Sequence, residues 1–84
     1  MSIQLLYFAG LREALGVATE HLELPAGVDT VAALRELLAA RGSPWTALVT
    51  TKNLRAAVNQ KMAGPDTLLQ AGDEVAFFPP VTGG

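Results

Sequence analysis

The hydrophobic pattern of the chain predicts two strands that are apolar on both faces, one near each end. Residues 3–8 are apolar except at Gln4, and residues 74–78 are apolar after Glu74. Strands with so little polar alternation are usually covered on both sides and lie inside a sheet. We therefore expect these two strands side by side at the centre of one sheet.

Shorter and more polar elements are predicted between these two strands. Residues 21–24 alternate between polar and apolar before Pro25, which is typical of a half-exposed strand, and residues 54–58 predict another strand. Residues 9–15 predict a connection with some helical character, closed by Gly16. A run of that length is too short to be a stable helix without packing.

The clearest single element is a helix over residues 31–41. Thr30 or Asp29 can cap its first turn, and Gly42 can end it. Its apolar side chains recur at helical spacing, at Val31, Leu34, Leu37 and Leu38. The spacing predicts an amphipathic helix that crosses one face of the sheet.

The second half of the chain contains the strongest turn signals. Residues 64–66 (Gly-Pro-Asp) and the pair Gly72 and Asp73 are typical turn formers. Between them we expect Leu68 and Leu69 to anchor a loop against the core. The resulting order of strand, strand, helix, strand, strand predicts an α+β fold of the β-grasp type, with four to five strands in a mixed sheet packed on one main helix.

Composition excludes several classes of function. The 84 residues include no cysteine and one histidine, His21, so a thiolate metal site, a thiol nucleophile and a histidine-rich metal centre are excluded, and we expect no metal ligands. A net charge of −2 without a basic cluster argues against nucleic acid as a partner. No apolar run reaches the length of a membrane span, so we expect no membrane association and a cytoplasmic location.

Hydropathy and the C-terminal residues point instead to binding. The mean hydropathy of +0.31 and a charged fraction of only 17% predict an exposed apolar patch. After Phe78 the chain continues as Pro79, Pro80, Val81, Thr82, Gly83 and Gly84. Two prolines stiffen this segment, and two glycines give a tip that can enter a narrow channel. We therefore divide the chain into a domain at 1–78 and an extended tail at 79–84, although a diglycine end can also be an inert terminus.

Three segments give the chain a specific family resemblance. They are residues 6–13 (LYFAGLRE), residues 57–60 (AVNQ) and, above all, residues 72–84 (GDEVAFFPPVTGG). Over its whole length the chain resembles the small, sulfur-carrying subunit of molybdopterin synthase. This resemblance implies a ubiquitin-like β-grasp fold.

The resemblance also implies a sulfur shuttle. An adenylyltransferase partner, using ATP and magnesium, would convert the carboxylate of Gly84 into an acyl-adenylate and then a thiocarboxylate. The tail residues Val81, Thr82 and Gly83 would enter the active site of the large synthase subunit, in a heterotetramer. Sulfur would pass there to cyclic pyranopterin monophosphate to form the dithiolene. The chain itself would bind no cofactor and act as a co-substrate, with the main catalytic residues on the large subunit.

The phenylalanines near the tail are candidates for partner contact. Alternation places Phe77 and Phe78 on opposite faces of their strand, and the predicted helix covers only one face. We expect Phe78 and Phe8 to form a docking patch with Pro79 and Pro80. Arg12 is a further candidate for partner contact, although a solvated helical turn also accounts for it.

Three alternatives to this reading remain open. The chain could be a sulfur carrier for another pathway such as thiamine thiazole synthesis, a protein-modifying ubiquitin-like tag, or a non-catalytic ubiquitin-like interaction module. The sequence Phe-Phe-Pro-Pro-Val-Thr before the two glycines favours the molybdopterin pathway.

Overall fold

A computed structural model describes residues 1–80 of the chain. Its elements are, in order, β1 (Ser2–Tyr7), α1 (Ala9–Leu15), β2 (Thr19–Glu23), α2 (Val31–Ala39), α3 (Ala47–Thr50), β3 (Arg55–Val58), β4 (Lys61–Ala63) and β5 (Glu74–Phe78). Every predicted strand is present, and β4 is an additional one. The α+β class predicted from the sequence is confirmed.

The strands form one mixed sheet in the order β2-β1-β5-β3-β4. β1 and β5 run parallel to each other, and every other neighbouring pair is antiparallel. The two strands that the sequence marked as most apolar are therefore neighbours inside the sheet, as predicted. Because these two strands are parallel, their C-terminal ends lie at the same end of the sheet.

One face of the sheet forms the core with the helices. Leu5 pairs with Val75 and Tyr7 with Phe77, and all four side chains are at most 1% exposed. The buried residues of α1 and α2 belong to the same cluster, and they are Leu11, Leu15, Val31, Leu34 and Leu38. We call this side of the sheet the inner face.

Capping residues determine where α2 begins and ends. The Thr30 hydroxyl accepts a hydrogen bond from the Ala33 amide (3.1 Å), which confirms Thr30 as the cap of α2. The helix ends at Ala39, two residues before the predicted end. Beyond it the backbone amide of Arg41 donates to the Leu38 carbonyl, three residues back, which tightens the last turn. Gly42 then adopts a φ of 87°, a conformation that glycine tolerates best.

Residues 9–15 are a complete helix rather than a loose connection. Leu11 and Leu15 are buried in the core, and this packing stabilises a helix that is short by itself. Gly16 ends it in the left-handed conformation, and its amide donates to the Arg12 carbonyl (2.9 Å).

Two features of the second half differ from the prediction. The edge strand β4 was missed because only three residues form it, after a turn in which Asn59 and Gln60 both have positive φ. The prediction that Leu68 anchors the loop is wrong, since its side chain is 67% exposed whereas Leu69 is buried. Neighbours in an extended segment point to opposite sides, so only one of the two leucines can face the core.

The turn before β5 is fixed by hydrogen bonds rather than by charge pairing. The Asp73 carboxylate accepts from the Gln70 amide (2.8 Å) and from the Asn59 side chain (2.9 Å). Asn59 in turn accepts from the Glu74 amide (3.0 Å). The interpretation of Asp73 as a turn former is confirmed, and these bonds fix where β5 begins.

Candidate functional site

Phe8 and Phe78 lie together at one end of the sheet. β1 and β5 are parallel neighbours, and the Phe8 amide continues the ladder by donating to the Phe77 carbonyl (3.2 Å). Phe8 caps α1 and its side chain is 46% exposed. We call this end, from which residues 79–80 leave the sheet, the tail end.

Phe77 and Phe78 lie on opposite faces of β5, as predicted. The Phe77 side chain is fully buried, whereas Phe78 is half-buried and so are Pro79 and Pro80. The structure therefore places Phe8, Phe78 and the two prolines in one region at the tail end. Partner binding by these residues stays a prediction.

The side of the sheet on which Phe78 lies carries a row of apolar residues that the sequence alone did not reveal. Leu6 pairs with Ala76, Ala76 with Ala57, and Ala57 with Met62, so these four residues cross four strands in register. Leu6 and Ala76 are half-buried and Met62 is 61% exposed. We call this side the open face, defined by Leu6, Ala57, Met62, Ala76 and Phe78. The expected apolar patch is thus a stripe across four strands of this face, which also carries polar residues such as Gln4, Glu74 and Arg55.

The register explains why this row was missed. Leu6 and Ala76 could have been assigned to one face by alternation within their own strands. Met62 could not, because β4 was not predicted and its pairing with β3 depends on the turn at Asn59 and Gln60. The only indication of β4 in the sequence was the pair Asn59 and Gln60, which can form a turn, followed by Lys-Met-Ala.

The open face is flanked by charges of opposite sign. Arg55 pairs with Phe78 across the sheet, and exposed Arg12 lies one helical turn from Phe8, whose carbonyl accepts from its amide (3.3 Å). At the other end of the face Glu74 pairs with Gln4. A protein docking on this face meets positive charge near the tail and negative charge away from it.

A polar cluster lies on the inner side of the tail end. The Arg41 guanidinium makes two hydrogen bonds to the Glu20 carboxylate (3.0 and 2.6 Å), and the Tyr7 hydroxyl donates to the same carboxylate (3.1 Å). Arg41 also lies 4.4 Å from the centre of the Trp45 ring, and the Tyr7 and Trp45 rings meet edge to face. We call Tyr7, Glu20, Arg41 and Trp45 the polar clasp. It joins β1, the edge strand β2 and the loop after α2.

The clasp fixes the protonation states of its members. Hydrogen bonds from Arg41 hold the pKa of Glu20 below its usual value, against the opposing effect of burial. Burial raises the pKa of the Tyr7 hydroxyl, and the nearby Glu20 carboxylate raises it further. Tyr7 is therefore a neutral donor and Glu20 a charged acceptor at neutral pH. The clasp stabilises the strand that presents Phe8.

Val81, Thr82, Gly83 and Gly84 lie outside the described residues. His21 is exposed on β2, and residues 1–80 contain no group of three acidic or histidine side chains that could hold a metal ion. No helix in the described part of the chain has the length and apolar character needed to cross a membrane.

Both the sequence and the fold have counterparts among known proteins. A model of the ThiS family matches residues 5–84, nearly the whole chain. The chain belongs to the ThiS family. It is 48% identical to the molybdopterin synthase sulfur carrier subunit of Escherichia coli, over 98% of this chain and 99% of that one. The protein of the same name from Haemophilus influenzae is 39% identical with the same coverage.

These findings confirm the family resemblance seen in the sequence. Among solved structures, the crystal structure of SAMP1 from Haloferax volcanii is similar to this chain, and the match covers 100% of both chains. The TM-score is 0.79 at 27% identity. The chain therefore has the predicted ubiquitin-like β-grasp fold.

Proposed function

We propose that this chain is the sulfur carrier subunit of a molybdopterin synthase. In this role the carboxylate of Gly84 is adenylated, converted to a thiocarboxylate, and used to donate sulfur to cyclic pyranopterin monophosphate, forming the molybdopterin dithiolene. The proposal rests on the full-length similarity to proteins with that name. The observation that carries it is that β5 ends at Phe78 of the open face and is followed directly by Pro79 and Pro80.

The open face and the tail suit two successive partners. The open face offers an apolar surface for docking, and Pro79 and Pro80 begin the tail beside it. Six residues of extended chain reach roughly 20 Å, so the terminus can enter an active site on a protein docked at the face. The two partners are the large synthase subunit and an adenylyltransferase that resembles ubiquitin-activating enzymes.

Adenylation overcomes the low reactivity of a carboxylate. Attack of the Gly84 carboxylate on ATP releases pyrophosphate and gives an acyl-adenylate. A persulfide-type donor then displaces AMP, and cleavage of its sulfur–sulfur bond by a reductant leaves the thiocarboxylate. This divides one difficult substitution into easier steps. The adenylyltransferase binds the ATP and magnesium, and this chain needs no cofactor of its own.

The large subunit must supply most of the catalytic groups. The proposed tip of the carrier offers only backbone amides, the Thr82 hydroxyl and the reactive group on Gly84. Acid–base catalysis and stabilisation of charge on the pterin therefore come from the partner. Val81, Thr82 and Gly83 position the sulfur by occupying the channel that leads to the active site of the large subunit.

Intact mass spectrometry tests the proposal directly. The chain is incubated with ATP, magnesium, the adenylyltransferase and a sulfur donor, and we expect replacement of one oxygen by sulfur, mapped to Gly84. The matched control is a chain lacking Gly84, which should gain no sulfur and should not support dithiolene formation. An active adenylyltransferase that leaves the intact chain unmodified would rule out the carrier role.

One observation favours a second function for the same terminus. SAMP1 from Haloferax volcanii, a small archaeal modifier protein, is similar along the whole chain. The activated Gly84 could instead be attacked by a lysine amine, which would join this chain to another protein through an amide. Products that have the mass of this chain added to a second protein would identify the modifier, whereas thiocarboxylate and dithiolene formation alone identify the carrier.

A further inference from the structure

The open face carries charges of opposite sign at its two ends, with a row of apolar residues between them. Arg55 begins β3 at the tail end, and Glu74 begins β5 at the opposite end. Each lies two positions along its strand from the apolar row. Within residues 1–80 neither side chain forms an ion pair. We call the row between them the apolar row, and its members are Leu6, Ala76, Ala57 and Met62.

This arrangement makes the open face complementary to itself. A protein that fits the face must carry negative charge opposite Arg55, an apolar centre, and positive charge opposite Glu74. A second copy of this chain has that order of groups when it is turned over about a two-fold axis that follows the apolar row. The axis lays one row on the other and brings the tail end of each copy onto the opposite end of its partner. Every contact in such a pair occurs twice.

The strand register brings Arg55 of one copy close to Glu74 of the other. Both residues lie about 6.6 Å from the axis, which is the length of two residues of strand. They are offset sideways by one strand spacing, about 4.8 Å, because β3 and β5 are neighbours. The angle of roughly 30° between the strands of two stacked sheets reduces this offset. Two Arg55–Glu74 ion pairs can therefore flank the apolar centre.

The size of the face predicts a weak association. Five strands and about five residues of each strand give it dimensions of roughly 24 Å by roughly 17 Å. Two copies would bury roughly 800 Å² together, below the roughly 1,200 Å² of stable complexes and within the range of transient ones. We therefore expect a dissociation constant on the order of 0.1 to 1 mM.

We propose that a second copy of this chain covers the open face, in a two-fold dimer held by the apolar row and by two Arg55–Glu74 ion pairs. The inference goes beyond the proposed function and does not depend on it. The dimer removes part of the exposed Met62 and half-buried Phe78 side chains from water. Another protein can dock on the same face only when the two copies separate.

Reversal of either charge tests the inference. Arg55→Glu and Glu74→Arg each place like charges opposite each other twice, so each variant alone should self-associate at least about tenfold more weakly than the unaltered chain at low salt. Glu74→Arg adds two positive charges to a net charge of −2 and so makes the chain neutral, which means that general repulsion cannot explain its loss. Sedimentation velocity between about 20 µM and about 1 mM measures the association, and circular dichroism checks the fold.

Lys61→Glu is the matched control for Arg55→Glu. It makes the same change of charge on the edge strand β4, but Lys61 pairs with Val58, whose other neighbour Val75 belongs to the inner face. This variant should self-associate within about threefold of the unaltered chain.

A mixture of the two charge variants tests the orientation of the copies. A chain with Arg55→Glu and a chain with Glu74→Arg carry opposite charges at both contacts, so an equal mixture should recover the association of the unaltered chain to within about threefold. Amide NMR shifts at Ala57 and Ala76 should depend on concentration in the unaltered chain and in the mixture. A chain that remains monomeric up to about 1 mM overturns the dimer. A mixture that associates no better than its components, or variants that associate as well as the unaltered chain, also overturn it.

Discussion

The two faces of the sheet are made by the same strands but have opposite properties. On the inner face Leu5, Val75 and Phe77 are completely buried beneath the helices. On the open face Leu6 and Phe78 are half-buried, and Met62 is mostly exposed. Both sets of side chains are apolar, so hydrophobicity alone does not distinguish them. What distinguishes them is the side on which α1 and α2 pack.

This difference separates stability from recognition within single strands. An apolar side chain that is buried in the folded monomer contributes to its stability, whereas an exposed one contributes when a partner covers it. Adjacent residues of β5 therefore have different roles. Phe77 belongs to the core, and Phe78 belongs to the proposed docking surface.

Replacing Phe77 should give the largest effect on stability. Phe77→Ala removes a fully buried ring and leaves a cavity, which costs about 3–5 kcal/mol in the free energy of unfolding. Phe78→Ala, the matched control on the neighbouring residue, should cost about 1 kcal/mol because its ring is only half-buried. Urea denaturation of the two variants checks the comparison. Similar losses would show that the two faces do not differ in this way.

Replacing Phe78 by a charged residue should affect binding more than folding. Phe78→Asp places a carboxylate in the proposed docking surface at the point where the tail begins, and we expect at least about thirtyfold weaker binding to the large subunit. Val49→Asp is the control, because Val49 is 48% exposed on α3, away from the open face. Titration calorimetry measures the affinities, and circular dichroism checks the fold. Equal binding by Phe78→Asp and the unaltered chain would remove Phe78 from the interface.

The inner face was easier to predict from the sequence than the open face. The inner face follows from the continuous apolar runs of β1 and β5, which predict two central strands, and from the helical spacing of Val31, Leu34 and Leu38, which predicts a helix that covers one side of them. Strand geometry, which sends neighbouring side chains to opposite faces, also placed Phe78 opposite Phe77. These patterns are local, so a single sequence is enough to detect them.

The open face depends on pairings between distant residues. The row from Leu6 to Met62 exists only because β4 pairs with β3 in one register, and three residues carry too little pattern to reveal that strand. The polar clasp depends likewise on Glu20 facing the inner side of the edge strand, where Arg41 reaches it from the loop after α2. Sequence patterns describe neighbours along the chain, whereas both features join residues across the fold.

The polar clasp contributes a pH-dependent part of the stability at the tail end. The folded protein holds the pKa of Glu20 below its usual value of 4.5, so the contribution is complete above that pH and is lost as the pH falls through the lower value. Glu20→Gln should therefore reduce stability at pH 7 by about 1 kcal/mol, a modest value because both side chains are partly exposed.

Glu13→Gln is the control for the clasp, since Glu13 is exposed on α1 and makes no ion pair within residues 1–80. Urea denaturation between pH 7 and pH 3 should show the deficit of Glu20→Gln shrinking as the pH falls, while Glu13→Gln stays close to the unaltered chain. A deficit independent of pH would mean that packing of Glu20, and not its charge, stabilises the inner side of the tail end.

Ala9 follows exposed Phe8 as the first residue of α1, and its φ of 55° is unfavourable for alanine. Ala9→Gly should relieve this strain and, after the entropy cost of glycine, raise stability by about 0.5 kcal/mol. Ala14→Gly, in the same helix without a positive φ, should lower it by about 1 kcal/mol. Glycine at position 9 gives the backbone next to Phe8 more freedom, and docking must remove that freedom. Ala9→Gly should therefore also bind the large subunit about twofold more weakly. Stability and binding would then change in opposite directions, and a loss of stability in both variants would show that Ala9 is not strained.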